Sequence, residues 1–146
     1  MTRLLTLITL LLGALPATAQ HVQPCDWIAR ADGIVEPWKD NTRTFANGAV
    51  RLALLDVVEP AAGALHLLIL TPPYNELGER HCLTLGVSEN IGFSNAEFDT
   101  LTAEYDASVG LVFEMNVQVF DGEDSTPAIL RFTLNQATGD VRAVLQ

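Results

Sequence analysis

Basic side chains are scarce in this chain: its 146 residues include 8 Lys and Arg against 18 Asp and Glu, a formal net charge of −10 at pH 7. Nucleic acids and anionic membrane surfaces are bound through Lys and Arg, so this composition argues against both as partners. A basic partner or a cation remains compatible with the charge. The surplus of carboxylates also helps to keep a protein soluble.

Apolar runs long enough to span a membrane are missing as well. The longest run covers residues 4–15, whereas a membrane-spanning helix needs about 20 residues. Arg3 precedes this run, and Ala17-Thr18-Ala19 follows it with the small-x-small pattern of a signal peptidase site. We therefore predict a signal peptide over residues 1–19, with cleavage after Ala19.

The remaining residues, 20–146, have the length of a single domain with its own hydrophobic core. A lipoprotein carries a cysteine directly after its cleavage site, but Cys25 lies beyond a polar, proline-containing segment. We therefore expect an exported protein, periplasmic or secreted, without a lipid anchor.

The chain has only two cysteines, Cys25 and Cys82. Only one intramolecular pairing is possible, and an oxidising compartment outside the cytoplasm favours it. There is no Cys-x-x-Cys motif that would indicate redox activity. We predict a structural Cys25–Cys82 disulfide.

Recognisable catalytic and cofactor-binding motifs are also missing. No serine lies in a Gly-x-Ser-x-Gly or Ser-x-x-Lys motif, and there is no glycine-rich phosphate loop or dinucleotide fingerprint. We therefore expect no cofactor and favour a role other than catalysis. Pairs of carboxylates two residues apart, such as Glu97 with Asp99 and Glu104 with Asp106, are typical of a solvated strand face.

Three histidines are the remaining candidates for metal chemistry: His21, His66 and His81. If residues 71–79 link a hairpin, Leu70 pairs with His81, and His66 and His81 share a face roughly 13 Å apart. That separation is too large for one zinc ion. Cleavage one residue later, after Gln20, would make His21 the N-terminal residue, which together with a second histidine could bind copper. Calcium bound by the acidic turn at residues 121–124 is a further metal hypothesis.

Apolar and polar residues alternate over much of the remaining sequence, with the period of two that is typical of a half-buried strand. The pattern is clearest over residues 111–120, and about seven strands are predicted in all. Their ranges are 50–58, 65–70, 80–85, 95–106, 111–120, 129–134 and 141–145. Residues 95–106 also fit a helix, because Phe98, Leu101 and Tyr105 lie at helical spacing.

The first residues after the signal peptide favour a helix. Pro24 suits a first helical position, Asp26 the first turn, and Gly33 a position past the end, so we predict two turns over residues 24–31. The expected fold class is mainly β: an antiparallel meander that forms a small sandwich or barrel, with a short N-terminal helix tied on by the disulfide.

One segment carries a functional prediction. Pro72 and Pro73 stiffen the connection after residues 65–70 and present Tyr74, a residue type enriched at binding hot spots. We therefore expect a non-enzymatic binding or accessory protein of the cell envelope, whose partner is a protein or a small ligand. The alternatives are an envelope hydrolase with carboxylate and histidine chemistry, and a copper- or calcium-handling protein.

Overall fold

Two antiparallel five-stranded sheets pack face to face in the computed structural model, which describes residues 18–146. In the first sheet, here the N-terminal sheet, the strand order is β2-β6-β5-β4-β3, and in the C-terminal sheet it is β1-β10-β9-β8-β7. The strands are β1 Thr18–Ala19, β2 His21–Pro24, β3 Thr42–Phe45, β4 Val50–Asp56, β5 Leu65–Tyr74, β6 Arg80–Gly86, β7 Asn95–Asp106, β8 Gly110–Phe120, β9 Ser125–Leu134 and β10 Val141–Leu145.

The fold class is confirmed: the protein is mainly β and antiparallel, with a short helix near its N-terminus and a disulfide. The seven predicted strands correspond to β4–β10, and they form two consecutive meanders rather than one. The short strands β1–β3 were not predicted. No helix within residues 18–146 has the length and apolar character needed to cross a membrane.

The hydrophobic core lies between the two sheets, where the alternating residues of each strand meet. Phe113 of β8 and Phe132 of β9 are cross-strand partners, and their rings stack with centroids 4.6 Å apart. Phe45 of β3 meets Phe113 edge to face across the core, at 5.0 Å. Because apolar residues alternate on the strands, each sheet turns one apolar side inward.

Residues 24–31 are not helical. Residues 21–24 form β2 and pair with β6, and this pairing is extended because the Cys25 amide donates to the Cys82 carbonyl. The Asp26 carboxylate then accepts a hydrogen bond from the Ile28 amide, which gives a tight turn. Only one turn of 3-10 helix follows, Ala31–Gly33, and the short α-helix α1 is Trp38–Asn41. The disulfide therefore ties the end of β2, not a helix, to β6.

The strand-like alternation and the helical spacing of residues 95–106 are both explained by the structure of β7. The segment is one strand, as we favoured, but its pairing with β8 shifts between Glu97 and Thr102. Inside this bulge, Phe98 and Leu101 both turn into the core. The Thr100 hydroxyl donates to the Glu97 carbonyl and accepts from the Asn116 amide, so it bridges the gap in the ladder.

The outer side of the N-terminal sheet is covered by residues 25–35, here the N-terminal arm. Ile34 bridges to Leu55, and the Val35 amide donates to the Leu54 carbonyl. Ile28 and Leu55 are buried although they lie outside the core between the sheets. The predicted signal peptide lies outside the described residues, except for Thr18 and Ala19, which pair with β10.

Candidate functional site

The Pro72-Pro73-Tyr74 segment lies at one end of the sandwich, at the tip of the β5–β6 hairpin. A groove of about 350 Å³ opens beside it, here the Tyr74 groove. Its lining residues are Pro73, Tyr74, Asn75, Glu79, Arg80, His81, Cys82 and Thr138. The two prolines belong to strand β5 rather than to the turn, because the strand continues to Tyr74.

Tyr74 is exposed over 48% of its surface, and its ring packs against a neighbouring arginine. The Arg80 guanidinium carbon lies 5.5 Å from the centre of the Tyr74 ring, a cation–π contact. The same guanidinium donates from Nε to the Ala49 carbonyl and from Nη2 to the Gly48 carbonyl, each at 3.2 Å. Arg80 thus joins Tyr74 to the backbone that leads into β4.

The Arg80 charge has no carboxylate partner. Within residues 18–146, the ion pairs are Arg30 with Asp32 and Arg131 with Glu114. A half-buried guanidinium that contacts two carbonyl groups and the Tyr74 ring, but no carboxylate among the described residues, keeps its positive charge available at the groove. This gives the Tyr74 groove a local positive group on a protein of strongly negative charge.

The turn between the two strands is ordered by its own side chain. The Asn75 side-chain oxygen accepts hydrogen bonds from the Leu77 and Glu79 amides, at 3.0 and 2.9 Å. Its amide nitrogen donates to the Glu79 carboxylate at 2.6 Å. Such a turn loses little conformational entropy when a partner binds.

The β9–β10 turn forms the far wall of the groove. Gly139 has a positive φ of 78°, a left-handed conformation that glycine adopts readily. A Cβ atom at Gly139 would lie 2.6 Å from His81 Nδ1 and 3.0 Å from Pro73 Cδ. Glycine therefore lets the turn approach the groove closely enough for Thr138 to line it.

The predicted hairpin register is wrong by one residue, and this separates the histidines. Leu70 pairs with Cys82, and Thr71 pairs with His81; beyond this pair a bulge separates Thr71 from Tyr74, which pairs with Arg80. His66 and His81 consequently lie on opposite faces of the sheet and not on one face. His66 is only 2% exposed, on the side covered by the N-terminal arm, whereas His81 lines the Tyr74 groove.

His66 is held in its neutral form. Burial lowers the pKa of His66 from its ordinary value of 6.5, and the nearby Asp26 carboxylate opposes this shift only in part. The third histidine, His21, is hydrogen-bonded to the Gln23 side chain at 2.8 Å. In the described part of the chain, no group of three or more His, Cys, Asp or Glu side chains is arranged to hold a metal ion.

The acidic turns stabilise local structure. The Asp121 carboxylate accepts the Glu123 and Asp124 amides, both at 2.9 Å, and these bonds lower the pKa of Asp121. Asp106 likewise accepts the hydroxyl and amide of Ser108, which lowers the pKa of Asp106. These two carboxylates serve as turn caps.

Sequence reasoning named Tyr74 as a binding candidate but did not indicate the residues that contact it. Arg80 was assigned only as the start of a strand, and Thr138 only as part of a turn. The available signal was a basic residue placed to pair across the hairpin from an exposed aromatic residue; Tyr74 and Arg80 are indeed strand partners. The contact with Thr138 depends on how the two sheets pack, so no local pattern indicates it.

Comparison with protein-family models, curated proteins and solved structures gives no match to this chain. The function is therefore argued from the geometry of its own residues.

Proposed function

We propose that this protein is a non-enzymatic binding protein of the cell envelope that contacts its partner through the Tyr74 groove. The single observation that carries the proposal is that Tyr74 is half exposed while its ring packs against the Arg80 guanidinium. An aromatic side chain of this kind offers a large contact area and loses little conformational entropy on binding. The ordered Asn75–Glu79 turn beside it extends the same preformed surface.

Export is part of this proposal. Its supports are the signal-like segment over residues 1–19 and the Cys25–Cys82 disulfide, since such bonds persist in oxidising compartments. An envelope protein with a preformed surface and no recognised catalytic motif fits an accessory role. Its partner is a protein or a small ligand that is bound at the hairpin tip.

The test compares two exposed tyrosines. The purified protein serves as bait for envelope extracts, and captured partners are then purified and titrated by calorimetry. Tyr74→Ala is expected to weaken binding by about 30-fold, the effect of a typical hot-spot residue. Tyr105→Ala on β7, where the side chain is 72% exposed and outside the groove, is the matched control and should bind like the wild type.

Two outcomes contradict the proposal. One is unchanged binding by Tyr74→Ala when its melting temperature matches that of the wild type. The other is an equal loss for both tyrosine variants. Tyr74→Phe refines the result, because retained binding assigns the effect to the ring and lost binding assigns it to the hydroxyl group.

One observation bears on the hydrolase alternative: His81 and Glu79 line the same groove. Glu79 is engaged by Asn75, and no hydrogen bond joins His81 to a carboxylate among the described residues. Hydrolysis of envelope ester or glycan substrates that His81→Gln abolishes would favour this alternative. Partner binding that survives His81→Gln, without hydrolysis, favours the binding role.

A further inference from the structure

A second cavity lies where the N-terminal arm meets the end of β4, here the Trp27 pocket. It has a volume of about 180 Å³ and is lined by Trp27, Ile28, Arg30, Asp32, Gly33, Asp56, Val57 and Val58. Arg80 of the Tyr74 groove binds Ala49, just before β4 begins, whereas Asp56 ends that strand. At 3.3 Å per residue the two sites are about 20 Å apart, so the pocket is independent of the proposed Tyr74 contact.

Trp27 is a large aromatic residue on an anchored segment of backbone, and it is open to solvent. Cys25, two residues before it, is fixed by the disulfide, and Ile28, directly after it, is buried. The Asp26 carboxylate also accepts the Ile28 amide at 3.0 Å. The backbone around Trp27 is therefore anchored on both sides, while 54% of the residue remains exposed.

The charges of the pocket favour a cation. Asp32 is neutralised by Arg30, which donates from Nε and Nη2 to its two oxygens at 2.9 and 2.5 Å, and this pairing lowers the pKa of Asp32. Asp56 has no such partner within residues 18–146: one of its oxygens accepts the Val58 amide at 2.7 Å, and no hydrogen bond or ion pair with a described residue involves the other. The pocket therefore has a net negative charge, on a chain whose own net charge is −10.

The loop that follows β4 forms the wall of the pocket opposite the N-terminal arm, and it has an unusual conformation. Val58 is 69% exposed and has a φ of 71°, a left-handed conformation that β-branched residues rarely adopt. Such a conformation persists where the surroundings enforce it. Here the Asp56 carboxylate enforces it by capping the Val58 amide, and this fixes the rim of the pocket opposite the arm.

We propose that the Trp27 pocket binds the cationic side chain of a lysine or arginine from a partner protein. The indole face of tryptophan is the best aromatic partner for such a cation, and the unpaired Asp56 oxygen supplies the opposite charge. Sites for whole small molecules have volumes of about 300–1,000 Å³. The smaller volume of the Trp27 pocket suits one inserted side chain. The negative charge of the whole protein attracts a basic partner to this pocket.

The experiment uses the two tryptophans of the chain, Trp27 and Trp38. In Trp38→Phe, the fluorescence of Trp27 alone is followed while the peptide acetyl-Gly-Gly-Arg-Gly-Gly-amide is added. We expect a saturable change in emission. The same peptide with citrulline, a neutral analogue of arginine, in place of arginine should produce no such change. A calorimetric titration of Trp27→Ala should show that binding is lost.

Asp56→Asn and Asp40→Asn form a matched pair of variants. Each removes one negative charge, but Asp40 lies in α1 and does not line the pocket. Asparagine at position 56 can still accept the Val58 amide, so the loop is retained. Asp56→Asn should raise the dissociation constant about fivefold, the effect expected of an exposed charge pair, while Asp40→Asn should leave it unchanged.

Three results would overturn this inference: equal binding of the citrulline peptide, equal weakening in the two aspartate variants, or no change in Trp27 emission at any peptide concentration. Because Tyr74 is untouched in these proteins, the outcome is separate from the test of the Tyr74 groove.

Discussion

His66 and Thr84 are polar residues buried beneath the N-terminal arm, on the outer side of the N-terminal sheet. They lie on neighbouring strands, since Thr84 pairs with Leu68. Neither His66 Nε2 nor the Thr84 hydroxyl has a hydrogen-bond partner among the described residues, and an unpaired buried polar group costs about 1–3 kcal/mol. Gly92 packs against the same ring, because a Cβ there would lie 2.9 Å from His66 Cδ2 and 2.1 Å from the Leu65 carbonyl oxygen.

The lowered pKa of His66 makes the stability of the fold depend on pH. Below pH 6.5 the unfolded state takes up a proton that the folded state still excludes. With respect to this group, the free energy of unfolding therefore has its full value above pH 6.5. It decreases as the pH is lowered, until the pH passes below the folded-state pKa of His66. We expect His66→Leu to flatten this dependence between pH 5 and 7.5 in chemical denaturation experiments.

His81→Gln is the control for this prediction, because His81 is exposed. The same loss of stability between pH 7.5 and 5 in wild type and His66→Leu would show that another group is responsible. The window lies above the range in which Asp106 and Asp121, whose pKa values are lowered, take up protons.

At the scale of elements, one side chain closes the edge between the two sheets. Arg43 of β3 donates from Nη1 to the Leu101 carbonyl of β7 at 2.8 Å, and its guanidinium carbon lies 5.6 Å from the centre of the Phe98 ring. Both partners belong to the bulge that interrupts the β7–β8 pairing. The bulge therefore supplies a free carbonyl that joins the edge strands of different sheets.

Arg43→Ala should lower the free energy of unfolding by about 2 kcal/mol, because it removes a charge-assisted hydrogen bond and leaves the Leu101 carbonyl without its partner. Urea denaturation measures this loss, and hydrogen exchange should show faster opening of β7. Arg51→Ala on β4 is the matched control: Arg51 is exposed and has no ion pair or side-chain hydrogen bond in the described structure. Equal effects of the two substitutions would contradict the role of Arg43.

At the scale of the whole molecule, one covalent bond and one short strand connect distant parts of the chain. The Cys25–Cys82 disulfide joins residues separated by 57 positions and holds the start of the N-terminal arm on β6. On the other side, Gln20 follows β1 in the C-terminal sheet and precedes β2 in the N-terminal sheet. The N-terminal residues thus tie the two meanders together.

Removal of the disulfide should destabilise the fold strongly. On the chain-entropy model, closure of a loop of this length contributes about 4 kcal/mol, so the Cys25→Ser, Cys82→Ser double variant should melt more than about 10 °C below the wild type. Calorimetry of the variant, and of the wild type with and without reductant, measures the difference. Superimposable melting curves would show that the bond contributes nothing.

The sequence by itself determined the features that depend on local periodicity and on counting. Alternation over residues 111–120 predicted β8, because side chains of a strand point to opposite faces with a period of two. Two cysteines allowed only one intramolecular bond. Two prolines followed by a tyrosine indicated an exposed aromatic tip, and Tyr74 is exposed there.

Only the tertiary structure decided which residues meet across the fold. Pro24 has a favourable position for a helix start, yet its segment became β2 because β6 offers an unpaired edge, and this long-range hydrogen bonding outweighs a marginal local helix. The observed pairing of Leu70 with Cys82 differs from the predicted pairing by one residue, and a shift of one residue places His66 and His81 on opposite faces. The packing of Arg80 against the Tyr74 ring depends on tertiary contacts, and so does the formation of the Trp27 pocket. No local pattern of residues encodes such contacts between distant segments.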